Sequence, residues 1–123
     1  MYLTYDEYLD AGGDIERPVF DRLCRRACAR IDLLTHGRAA KLEPVPDAVK
    51  LAAFDAVELL ARHLKEDEDG RMQAFSNDGM SVSYAVQTPQ ERDAALNLLI
   101  KGALGSTKAA DGRTALLYAG VVA

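Results

Sequence analysis

The chain has 123 residues, enough for one domain with one modest core. Its charged fraction of 28% and apolar fraction of 49% exclude global disorder, and no apolar run reaches the ~18 residues of a transmembrane helix. A formal net charge of −4 weighs against a general nucleic-acid binder, which would be basic, but leaves room for a local basic patch.

The N-terminal residues lack a basic region followed by an apolar stretch, so no secretory signal is read there and a cytoplasmic origin is expected. Thr4 and Glu7 have the spacing of a capping box, and Gly12-Gly13 offers a stop, which predicts a first helix over 5–11. Pro18 suits a first turn. Phe20, Leu23, Cys24, Ala27, Ile31 and Leu34 then recur at three- and four-residue steps, predicting a second helix over 18–36 that Gly37 ends. Cys24 and Cys28 share one face of it. A disulfide within one helical turn is geometrically awkward, and the pair reads as small thiols on the apolar stripe.

Pro44 and Pro46 punctuate a loop, after which Asp47 can cap a third helix over 47–69. Its apolar residues cover most of its circumference, leaving Asp55, Glu58, Arg62 and Lys65 as the continuous polar stripe. Such a helix is buried on most sides, in part by another subunit in so short a chain. The acidic run 66–69 and Gly70 are expected to end it. Met80, Val82 and Tyr84 next alternate with small residues, and Asn77-Asp78-Gly79 is a turn signal, which predicts a β-hairpin or extended arm over 71–86. Thr88, Pro89 and Glu91 start a fourth helix over 89–102. The remainder, 106–123, reads as an extended tail whose Leu116-Leu117-Tyr118 cluster docks on a partner. The expected fold is mainly α: a single-domain bundle of about four helices with an arm between the third and fourth.

No catalytic set is legible. The sequence has no phosphate-binding glycine loop, no nucleophile elbow and no second cysteine pair to complete a zinc site. His63 beside Glu66 and Asp67 is a weak metal signal, and a solvated helix face is the simpler reading. No cofactor and no metal are expected. A more informative pattern is the basic stripe Arg22, Arg25, Arg26 and Arg30 on the second helix. It reads either as a solvated face or, because the acidic run with Asp67 and Asp69 also lacks local neutralisation, as an intersubunit partner of that run.

Four segments, in this order, resemble the head-to-tail connector (adaptor) proteins of long-tailed phages with non-contractile tails. They are Tyr2-Leu3-Thr4-Tyr5-Asp6-Glu7-Tyr8 with Gly12-Gly13; Phe20-Asp21-Arg22-Leu23 with Ala29-Arg30-Ile31-Asp32-Leu33-Leu34-Thr35-His36-Gly37-Arg38; Ser76-Asn77-Asp78-Gly79-Met80-Ser81-Val82-Ser83-Tyr84; and Leu116-Leu117-Tyr118-Ala119-Gly120-Val121. The set spans nearly the whole chain. The fourth segment departs from the family pattern, with Ala119 where a basic residue is common. The resemblance implies a helical, non-enzymatic virion protein made in the host bacterial cytoplasm. It implies a ring of about a dozen copies beneath the portal protein, docking the next connector, stopper or tail protein, with DNA passing through the lumen without sequence-specific binding. The interface residues expected on this reading are Arg22, Arg25, Arg26, Arg30, Asp67, Asp69, Asn77, Asp78, Gly79, Val82, Tyr84, Leu116, Leu117 and Tyr118. Competing readings are another head- or tail-completion subunit, or a small helical DNA-binding regulator using the arginine stripe.

Overall fold

The computed structural model describes residues 1–76, 88–109, 112 and 115–117, with the backbone alone over 70–76. Helices α1 (Tyr5–Asp10), α2 (Arg17–Leu34), α3 (Asp47–Ser76) and α4 (Pro89–Leu104) carry the fold, with a single 3₁₀ turn at Ala39–Lys41. No strand occurs among the described residues; an isolated antiparallel bridge pairs Lys108 with Ala115.

The helix starts follow local chemistry. The Thr4 hydroxyl accepts the Glu7 N–H, and the Glu7 carboxylate accepts the Thr4 N–H, so both halves of the capping box form. Thr88 caps α4 by accepting the Glu91 N–H, with Pro89 in the first turn. α2 ends two residues earlier than the stripe predicted. Gly37 N–H reaches the Asp32 carbonyl at 2.9 Å, and both His36, at φ 53°, and Gly37, at φ 76°, are left-handed.

α3 is the central element, packing against both α2 and α4. Val49, Ala52, Ala53, Ala56, Val57 and Leu60 are buried there, facing Leu23, Ala27 and Ile31 of α2 and Leu96, Ile100 and Leu104 of α4 in one continuous core. Small alanines at the contact let helices approach closely and interlock. An over-apolar α3 is thus explained largely within one chain: α2 and α4 cover it. Leu51 is the large exception, 55% exposed on the side away from this core.

One boundary and the tail correct the sequence reading. α3 runs through the acidic residues and Gly70 to Ser76, so 71–76 is helix and not the start of an arm. Extending an existing helix costs no new nucleation, and Arg71, Met72, Gln73 and Ala74 are adequate helix formers, which outweighs the ~1 kcal/mol penalty of Gly70. The acidic run therefore lies inside the helix and meets no terminal dipole. The rest of the expected hairpin, with Asn77, Asp78, Gly79, Val82 and Tyr84, lies outside the described residues. The tail also differs from expectation. Leu116 is wholly buried in the chain's own core, its N–H bonded to the Thr107 carbonyl at 2.9 Å.

The N-terminal segment locks onto α2 and α3 through aromatics. Tyr8 is fully buried, its ring centroid 4.9 Å from Phe20 and 5.4 Å from Phe54. Its hydroxyl donates to Glu58 at 2.7 Å and accepts the N–H groups of Asp14 and Ile15. Burial and the Glu58 carboxylate push the phenol up to about 12, so it stays a donor at any ordinary pH. Gly13 lies directly over that ring.

Candidate functional site

The arginine stripe divides in the fold. Arg22, Arg25 and Arg26 are exposed and pair with no described acidic group; Arg22 and Arg25 lie on the side of α2 away from its buried residues, and Arg26 borders the cleft with α4. Leu33 shares this outer face and is 67% exposed. Arg30 turns toward α4 instead, donating to Asn97 at 2.8 Å and Asp93 at 3.2 Å. It belongs to the joint between α2 and α4.

Part of the acidic run, Glu66 and Asp67, is met within the chain by Arg92, while Glu68 and Asp69 are exposed. Both terminal guanidinium nitrogens of Arg92 bond Asp67 at 2.9 Å, and one lies 3.6 Å from Glu66. This clamp sits in a cleft of about 550 Å³ between α2, α3 and α4, lined by Arg26, Arg30, His63, Leu64, Asp67, Arg92 and Asp93, among others. His63 is buried there, not on a solvated face as the sequence suggested. Its ring is held below its ordinary pKa, first by burial and next by the Arg92 charge. The Arg92 Nε is buried without a partner among the described residues.

Cys24 and Cys28 are free, buried thiols with their sulfurs 3.8 Å apart. The Tyr2 N–H points at the Cys28 sulfur, and the Cys24 thiol donates to the Leu3 carbonyl. The contact between the two sulfurs lowers the Cys28 thiol and raises that of Cys24. Among the described residues no group of three or more His, Cys, Asp or Glu side chains is placed to hold a metal ion.

A third surface was missed by the sequence reading. α1 and α3 flank a groove of about 460 Å³ lined by Leu3, Glu7, Asp10, Ala11, Lys50, Leu51, Phe54 and Asp55. Glu7 and Lys50 pair across it, and that hydrogen bond is the first cause holding the Glu7 carboxyl below its ordinary range. Asp55 is half-buried with no partner among the described residues, and burial raises its pKa. The available signal was Leu51, four residues before Asp55 and so on the polar side of α3.

The segments behind the connector resemblance meet in space where they are described. The Tyr2 hydroxyl bonds Asp32, joining the first segment to the second. Arg38 donates to the Leu116 carbonyl at 3.1 Å, joining the second to the fourth. Leu117 is partly buried against the core, and Tyr118 lies outside the described residues. No helix among the described residues is long and apolar enough to cross a membrane. No family model matches the chain, and no curated protein or solved structure shows significant similarity to it.

Proposed function

We propose that this chain is a virion structural subunit of the head-to-tail connector type, assembling as a ring beneath a portal and extending the DNA channel toward the tail. The observation that carries the reading is the ordered set of four sequence segments, three of which the fold ties together through Tyr2–Asp32 and Arg38–Leu116. Residues that clasp distant parts of the chain act as a signature of one architecture, which is how an ordered set of short, individually weak segments acquires meaning. The net charge of −4 suits a channel through which DNA slides without adhering.

The exposed arginines of α2 keep one rival in play, a helical regulator that lays this stripe against duplex DNA. Electron microscopy and light scattering of the purified full chain, up to millimolar concentration, separate the two. Closed rings with an open centre are expected. A stable dimer that binds duplex DNA with a steep salt dependence would replace the connector reading with the regulator.

A further inference from the structure

We propose that the groove between α1 and α3 receives the outer face of α2 from a second copy of this chain. The contact rests on the self-assembly proposed above and names the two surfaces that bring it about.

The charges of the molecule are strongly partitioned. Residues 1–16 hold Asp6, Glu7, Asp10, Asp14 and Glu16 and neither lysine nor arginine. The outer face of α2 holds Arg22, Arg25 and Arg26 with no described acidic partner. The groove repeats this contrast at close range. Its cation, Lys50, is already held by Glu7, while Asp10 is exposed and Asp55 is half-buried and unpartnered among the described residues. A carboxylate that has lost part of its water without gaining a partner is raised in energy, and an incoming guanidinium supplies what it lacks. The apolar groups match as well. Leu51 stands exposed at the groove, and Leu33 stands exposed on the arginine face.

One chain cannot close this contact on itself. Phe20, Leu23, Cys24, Ala27 and Ile31 bind α2 into the core, which turns Arg22, Arg25 and Leu33 outward and leaves Arg26 at the edge of that face, beside the cleft with α4. The two surfaces are different patches of one molecule, so the contact is head-to-tail and propagates into a ring or an open filament. Charge complementarity of this kind also speeds encounter and weakens with salt.

The test uses the full chain and sedimentation velocity across a concentration series in low salt. Asp10→Lys with Asp55→Lys reverses the groove; Arg22→Glu with Arg25→Glu reverses the face. Each pair is expected to raise the concentration of half-assembly at least tenfold, and all four substitutions in one chain to restore it to within about threefold. Asp10→Lys alone keeps the test sound if Asp55→Lys impairs folding, because Asp10 is an exposed helix-terminal residue where a cation suits the helix. It should raise the midpoint about threefold. Rings that ignore these substitutions overturn the contact and leave the connector reading standing. Filaments that obey the charge swap uphold the contact and overturn the ring. A chain that stays monomeric at millimolar concentration overturns both.

Discussion

Arg92 of α4 holds Asp67 of α3 with both arms of its guanidinium, each nitrogen 2.9 Å from a carboxylate oxygen. The two residues are 25 apart in sequence, and their pairing fastens α4 alongside the second half of α3. Asp67 is about half exposed, so the pair contributes modestly, on the order of 0.5–1 kcal/mol. Its two halves are not equivalent. Asp67→Ala leaves a mostly buried guanidinium with one carboxylate fewer and an Nε already unpartnered among the described residues. Arg92→Met removes the need along with the donor. Urea denaturation should therefore show Asp67→Ala losing about 1 kcal/mol and Arg92→Met losing less. The reverse order would mean that the arginine stem, not the ion pair, carries the contact.

His63 makes stability depend on pH in one direction. Its folded pKa lies below the ordinary 6.5, so the unfolded chain takes up a proton that the folded chain refuses. The stability it contributes is complete above 6.5 and is lost as the pH falls toward the folded value. Arg26, Arg30, Arg92 and Asp93 face the same cleft from α2 and α4, and Arg62, Glu66 and Asp67 act on the ring from α3. Thermal melting from pH 7.5 down to 5.5 should fall for the natural chain and fall less for His63→Gln. Asp55 acts oppositely and in a lower window. Its raised pKa makes the folded state the better proton acceptor just above 3.8, so Asp55→Asn removes a stabilisation that grows on acidification.

Gly13 is required by contact, not by backbone conformation. A Cβ placed there would lie 2.1 Å from the Tyr8 ring, which Phe20 and Phe54 hold in place. Gly13→Ala should cost roughly 3 kcal/mol by overpacking. In a Tyr8→Ala background the same change should cost little, since the ring it strikes is gone. Additive losses in the double variant would place the damage elsewhere.

Leu116 ties the tail to the domain. Its side chain is fully buried, so Leu116→Ala should lose about 2–5 kcal/mol. Deleting residues 114–123 should likewise lower the melting temperature, where a tail reserved for a partner would leave it unchanged. An unaltered melt for both variants would return Leu116 to the partner-facing set.

The sequence by itself determined the four helices and nearly all their starts. Periodicity of Phe20, Leu23, Ala27 and Ile31, the Thr4–Glu7 box and the Thr88-Pro89 start act over three or four residues, and such local signals survive folding. Tertiary structure decided where charges and loose apolar groups went. Arg92 meets Asp67, Arg30 meets Asp93, His63 becomes buried, Leu116 folds back, and Asp10 and Asp55 come to line one groove. Each of these joins residues at least 13 apart or depends on which helix covers which. None of them is set by residues within one helical turn of each other, so no local pattern announces them. Only the packing of α2 and α4 on α3 fixes which arginines are satisfied within the chain and which remain facing outward.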